Sequence, residues 1–560
     1  MRKIILCLCF AWCWVNSAWS HGLHPSAQWV ILNAELVGAD RTGLTALAVA
    51  DGRIVALGQE RDVRAWIGPN TRVIQAQGRS LIPGLIDSHM HTIRAGLTEL
   101  TEVHWSGVRR LDEALRLLQQ KAQNSPSDVW IVVAGGWTPD QFEEKRSPTA
   151  AELQQAVGDR AAYVQRAYSA VLITPTGMQR LPWAKHADLA SRLKSETDRD
   201  GKETGWLAGD ARAISDVYNL LPTPDAQARL NGTLAWYQRL SRWGLTGIVD
   251  PGGYNLPPTA YQDTQTLWQQ GKLPLRLRFS LSAPKAGSEL ADFQQLSALM
   301  PMGWGDEWLR FNGLGENVTW GMYNNSAPSE KDKAHLEETL RWAAQRGMGV
   351  TFHWNQNETV HHLLEVIERV GQSHDLRPLR WSIAHLNNAS LENLQRMKQL
   401  GMGWLVQNAS YFQRTQLLQQ VGEAALTRTP PLGDAMALGL PVGLGTDAHR
   451  VMDPNPFVSL QWAIDGLSVD GKPTRQKPHL LDREQALRAY TQGSAWFSHE
   501  ENERGRLAVG QRADLALLNG SYLKIETSRI HTLSADMTWV SGLLVHDATG
   551  RPSHTQKEKP

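Results

Sequence analysis

Leu81-Ile82-Pro83-Gly84-Leu85-Ile86-Asp87-Ser88-His89-Met90-His91 is the stretch that decides how the rest of the chain reads. An apolar run ends in His-x-His, and the two-residue period of a β-strand puts both imidazoles on one face. If that strand belongs to a barrel, its C-terminal end is where an active site forms.

Three more apolar runs end the same way. Val350-Thr351-Phe352-His353 closes one, Trp381-Ser382-Ile383-Ala384-His385 a second, and Val442-Gly443-Leu444-Gly445-Thr446-Asp447 a third. Each polar group follows residues expected to be buried, where an unpaired imidazole or carboxylate is expensive. Any one of them reads as a satisfied core residue. Four histidines and an aspartate at four strand ends point instead to a metal site.

Around these runs, strand-like and helix-like segments alternate. Candidate strands cover 84–88, 131–135, 162–166, 246–250, 275–281, 309–314, 349–353, 381–385, 403–407 and 441–446. Helical patterns cover Leu111 to Gln123, Asp225 to Trp243, Lys333 to Gln345, Thr359 to Val370 and Leu391 to Leu400. Such alternation predicts an α/β fold with a parallel sheet, open or closed. Both ends are β-rich. Trp29-Val30-Ile31-Leu32, Leu44 to Ala50 and Ile54-Val55-Ala56-Leu57 lie at one end, and 513–518 and 537–545 at the other. One small β domain assembled from both termini is the expectation.

Composition sets the outer limits. The 560 residues are 42% hydrophobic, enough for a large core, and 57 Lys+Arg balance 56 Asp+Glu. That balance argues against disorder and against a nucleic-acid surface. Arg2 and Lys3, the apolar run Ile4 to Val15, and Ala18-Trp19-Ser20 match an export signal with a small-x-small cleavage site. Cleavage after Ser20 removes all three cysteines and two basic residues, taking net charge from +1 to −1. The expected product is a cysteine-free, periplasmic or secreted protein with no membrane anchor. The Lys-rich tail at 550–560 is expected to be disordered.

The motif Pro-Gly-x-x-Asp-x-His-x-His at 83–91, followed in order by His353, His385 and Asp447, resembles the amidohydrolase superfamily of metal-dependent hydrolases. Gly505 to Leu515 and Thr538 to Gly542 resemble that family's return into its β domain. Within the superfamily the chain is most similar to the family 3 type, which includes N-substituted formamide deformylase-like proteins. The resemblance implies a (β/α)8 TIM-type barrel at 83–496 with a large insertion after the first strand, about 95–240. It implies a β-sandwich built from 21–82 and 497–549. It also resolves the surplus of strands, because 131–135 and 162–166 fall in the insertion and eight remain.

The same resemblance implies a ligand set of His89, His91, His353, His385 and Asp447 for zinc or a similar divalent ion, with Asp447 also the catalytic acid–base. Relatives with two ions bridge them with a carboxylated lysine or a glutamate on the fourth strand. Arg310-Phe311-Asn312-Gly313-Leu314-Gly315-Glu316 has no lysine there. Glu316 either bridges two ions or, offset by one residue, faces away as a helix cap or salt-bridged acid. One ion and two ions both stay open. The implied reaction is hydrolysis of an N-acyl or N-formyl amide, a small-molecule substrate.

Two departures bear on substrate. Ala167-Tyr168-Ser169 stands where relatives commonly carry Gly-His, and Gln356 stands where the deaminase branch needs a glutamate. Tryptophan is unusually frequent, 23 against 10 Tyr and 9 Phe. Trp137, Trp206 and Trp354, with Gln141, Arg166 and Tyr411, are the candidate substrate contacts. The competing readings are an exported binding or regulatory protein on an altered barrel, and a deaminase or esterase. Monomer and homodimer are equally open.

Overall fold

The computed structural model describes residues 26–198, 200–253, 256–322 and 328–548. The export signal, its cysteines and the tail at 550–560 lie outside the described residues.

Eight parallel strands form the centre: β1 (Leu85–Asp87), β2 (Leu245–Asp250), β3 (Arg276–Leu281), β4 (Leu309–Leu314), β5 (Thr351–Trp354), β6 (Ser382–His385), β7 (Gly403–Gln407) and β8 (Val442–Gly445). They hydrogen-bond as two four-stranded parallel sheets, ordered β4-β3-β2-β1 and β5-β6-β7-β8. Between the sheets, Leu314 N donates to Gly349 O at 2.9 Å and Ser88 N to Leu444 O at 3.1 Å. Nearly every strand residue is buried, which is why these segments read as continuous apolar runs rather than alternating ones. Helices cover them, including Glu330–Gln345, Val360–Gly371 and Leu391–Gln399. Ser329 and Ser390 cap two of these helices, accepting from Asp332 N and Asn393 N.

Residues 131–208 carry a separate five-stranded sheet, ordered 194–197, 203–208, 170–173, 162–166, 131–133. Its strands include the two surplus runs. Helix Ala226–Ser241, inside the expected insertion, packs instead against the short helix Thr92–Gly96 that follows β1. Trp236 Nε1 donates to Thr92 Oγ1 at 2.7 Å, and a Cβ on Gly96 would meet Thr233 Cα at 2.8 Å. That helix therefore covers the central strands.

Both chain ends meet in the β domain. Strand Ser80–Pro83 pairs with Leu515–Leu518, and a second sheet from residues 29–75 shares a core with it through Trp29, Leu47, Leu517 and Trp539. The Trp29 and Trp539 rings meet edge-on at 5.5 Å. Between this domain and the starts of the central strands lies a buried ion network. Arg276 Nε is 2.8 Å from Asp514, Arg278 Nη2 is 2.6 Å from Glu500, and Arg504 Nη2 is 2.7 Å from Glu500.

Among the described residues no helix is long and apolar enough to cross a membrane.

Candidate metal centre

The C-terminal ends of β1, β4, β5, β6 and β8 converge on one buried cluster. His91 Nε2 lies 3.1 Å from Asp447 Oδ1 and 3.3 Å from Glu316 Oε1. His89 Nε2 is 3.4 Å from Glu316 Oε2 and 3.6 Å from Asp447 Oδ1. His353 Nδ1 and His385 Nε2 approach Glu316 Oε2 at 3.2 and 3.6 Å. Three triads have every ligand atom within 4.8 Å: His89–His385–Asp447, His89–His91–Glu316 and Glu316–His353–His385.

Glu316 reaches the centre because β4 contains an extra residue. Opposite β3, Phe279 pairs with Phe311 and Leu281 with Leu314, so three steps on β4 match two on β3. Gly313 in this bulge has φ 101°, and a Cβ there would sit 2.1 Å from Gly349 O. A Cβ on Gly315 would sit 1.7 Å from Pro251 O. Only glycine fits at either position, and together they turn Glu316 inward.

Neighbours fix how the rings face. The Gly252 carbonyl lies 2.7 Å from His91 Nδ1 and can only accept, so that nitrogen carries the proton and Nε2 offers its lone pair to the cluster. Asp250, at the end of β2, holds this carbonyl in place by accepting from Gly252 N and Ile93 N, both at 2.8 Å. Asp87 ties β1 to β8. It accepts from His89 N (3.0 Å), Thr446 Oγ1 (2.8 Å) and Tyr490 OH (2.8 Å), and burial pushes its pKa up to about 6. Asn355 Nδ2 lies 3.0 Å from His353 Nε2, and Gln407 Oε1 accepts from His385 N. Asp250 ends an apolar strand just as the histidines do, so the signal that found them also covers it.

The cluster has the chemistry of a cation site. His89 is completely buried, and among the described residues neither ring nitrogen has a well-formed hydrogen bond, the two carboxylates beside Nε2 standing 3.4 and 3.6 Å away. Burial opposes a charge on His89, yet Asp447 and Glu316 outweigh it and hold its pKa up at about 10. Burial likewise works against an ionised Glu316, but His91, His353, His385 and His89 hold its carboxyl well below the usual range. Asp447 is held down by His89 and His91 in the same way. Burial and the neighbouring His353 keep His385 neutral-leaning. Ionised carboxylates among buried imidazoles, one of them drawn to a proton, fit a divalent ion that would take that proton's place.

Asp250→Asn is expected to weaken metal affinity roughly 10–100-fold, as loss of a ligand-orienting partner does. Chelator competition on the purified protein checks this, and an unchanged affinity would show that Gly252 needs no such support.

The candidate substrate contacts are placed differently from the expectation. Trp137 and Trp206 share the insertion's core, their indole N–H groups donating to Gln165 O (2.8 Å) and Pro148 O (2.9 Å). Gln141 donates to Trp105 O and Val108 O. Arg166 pairs with Glu196 at 3.1 Å and stacks over Trp206 at 5.1 Å. These four spend their polar groups holding the insertion together. Trp354 is fully buried in β5 and donates to Gln356 O, while Tyr411 packs edge-on against Phe412 at 4.8 Å. Gln356 is exposed, and its side-chain oxygen faces Thr359 Oγ1 rather than the cluster.

The insertion nevertheless touches the site through its backbone. Gly136 N donates to Arg450 O at 3.0 Å, and a Cβ on Gly135 (φ 134°) would meet that same oxygen at 2.0 Å. The loop following Asp447 is thus held by the end of an insertion strand.

Comparison with known proteins agrees with this geometry. The N-substituted formamide deformylase of Arthrobacter pascens is 23% identical over 553 residues, covering 93% of this chain and 98% of that protein. An uncharacterized metal-dependent hydrolase from Pyrococcus horikoshii OT3 superposes with a TM-score of 0.64 at 17% identity, covering 89% of this chain and 99% of its own. The atrazine chlorohydrolase TrzN from Arthrobacter aurescens TC1, complexed with zinc, superposes with a TM-score of 0.51 at 16% identity over 94% and 97% of the two chains. The family described as "Amidohydrolase family" matches residues 72–546. That match spans most of the sequence, so this chain belongs to the amidohydrolase family and is a hydrolase.

Proposed function

We propose that the chain is a metal-dependent hydrolase of a non-peptide C–N bond in a small N-acyl or N-formyl amide, working outside the cytoplasm. The observation that carries the reading is the convergence of four histidines and two carboxylates from five strand ends. We read the two four-stranded sheets as one (β/α)8 barrel, with the insertion on its mouth and a β-sandwich beneath. The formamide-cleaving relative and the zinc-containing neighbour support the bond type and the metal.

His89, His91, His353, His385, Glu316 and Asp447 would hold the metal, and Glu316, with one carboxylate oxygen toward His91 and the other toward His89, His353 and His385, would suit a site of two ions. Bound there, zinc or a similar ion supplies Lewis acidity to a carbonyl and lowers the pKa of water toward about 7. Asp447 then takes the attacking water's proton and passes it to the leaving nitrogen. Its backbone N–H, donating to His89 O at 2.8 Å, keeps the carboxylate over the cluster during both transfers. Asp250, through Gly252, keeps His91 facing the cluster throughout.

Elemental analysis of purified protein, paired with a screen of N-formyl and N-acetyl amides, tests this. Two equivalents of metal and amide turnover are expected. One equivalent would remove Glu316 from a shared position. No metal and no turnover would sink the amide-cleaving reading. Cell fractionation tests the location, since retention in the cytoplasm contradicts export.

A further inference from the structure

We infer that the cavity of about 430 Å³ between the insertion and the loops after β1 and β2 is a specificity pocket for a carboxylate-bearing substrate. It rests on reading the neighbouring cluster as a hydrolase centre. Two arginines line it, Arg94 and Arg450, which are 9% and 5% exposed. Neither guanidinium makes a hydrogen bond or ion pair to any described residue, and the Nε of each is buried without a partner. The buried acids closest in electrostatic influence are already engaged. Asp250 holds Ile93 N and Gly252 N, and Glu102 accepts from Tyr218 OH at 3.0 Å.

Two buried cations with unused donors are costly unless an anion completes them. Guanidinium forks match carboxylates, often bidentately. Arg450 is fixed for that purpose, its Cζ lying 3.8 Å from the Tyr218 ring centroid. The remaining wall is mostly apolar, with Trp130 and Leu256, and its single acid, Asp128, is exposed. A carboxylate with an apolar neighbour fits this lining.

Position links the pocket to the reaction. Arg94 follows His91 by three residues and Arg450 follows Asp447 by three. A Cβ on Gly253 would lie 3.5 Å from Arg94 Nη1 and 3.6 Å from His91 Nδ1, so the guanidinium approaches the outward edge of the His91 ring, on the side away from the cluster. A substrate whose carboxylate sits a few bonds from its scissile amide, such as an N-acyl amino acid, can engage both.

The test compares N-formyl- and N-acetyl-leucine with the corresponding leucinamides, using both enantiomers of each on the metal-loaded enzyme. The acids are expected to have kcat/KM at least about tenfold higher. Arg94→Gln and Arg450→Gln should each raise KM for the acids about 10–100-fold, with Arg→Lys recovering part of the loss and the neutral amides little changed. Equal hydrolysis of acids and neutral amides by the wild type overturns the pocket assignment, leaves the hydrolase reading standing, and depends on no variant folding.

If no amide is turned over, the amide-cleaving reading fails and the pocket is judged by calorimetry. Saturable binding of 4-methylpentanoate but not 4-methylpentanamide, lost in the double Gln variant, supports it. No binding of the acid, or binding that survives the double variant and so lies on the metal, overturns it.

Discussion

Asp447→Asn is expected to lower kcat by about 10²–10⁴-fold, the usual worth of a positioned acid–base group. The substitution preserves shape, and the amide oxygen can still face His91 and His89, which lie 3.1 and 3.6 Å from Oδ1. What it removes is the capacity to accept a proton from water and return it to nitrogen. Metal content should therefore fall far less than activity, because all four histidines and the Glu316 carboxylate remain. Measuring bound metal alongside single-turnover kinetics separates the two effects. Wild-type kcat in a fully metallated Asp447→Asn enzyme would show that the proton travels by another route. Loss of metal in step with activity would make Asp447 a ligand and nothing more.

The second large effect concerns stability. Glu500 is the shared partner of Arg278 and Arg504, both fully buried side chains. Glu500→Ala leaves two buried guanidiniums without that carboxylate, and breaking such a pair typically costs about 3–5 kcal/mol. Denaturant unfolding checks this, and a loss under about 1 kcal/mol would mean that water or Asp514 takes over.

The same group predicts a pH dependence. Burial opposes its ionisation, but Arg504 and Arg278 hold its pKa well below the ordinary 4.5. The native state thus binds this proton less readily than the unfolded chain. The stability Glu500 contributes is fully present above the unfolded value and is lost as pH falls toward the depressed one. Acid titration of the Glu500→Ala protein should lack that portion of the wild-type slope.

The central strands were legible because burial on both faces makes them continuous apolar runs, and four of the eight end in a histidine or aspartate of metal-ligand type. Glu316 was ambiguous from sequence because its facing depends on a bulge at Gly313, and a bulge is a relation between two strands. A tryptophan count is ambiguous for a physical reason. A large indole with one N–H fills a core and satisfies itself on a backbone carbonyl, as Trp137 and Trp206 do, so frequency alone does not mark a binding surface. Arg94 and Arg450 carry no local signature. Their meaning comes from the absence of described partners around them, which only tertiary structure reveals.

The ion network under the central strands also fixes an order of events during synthesis. Arg276 and Arg278 leave the ribosome more than two hundred residues before Glu500 and Asp514, and strand Ser80–Pro83 waits more than four hundred residues for Leu515–Leu518. At about 5–20 residues per second, that is ten seconds or more in which the growing chain carries unmatched cations and an unpaired strand edge. The nascent protein cannot complete its base until residues 515–518 have been made. A chain interrupted before residue 500 is thus left as a client for chaperones and proteases.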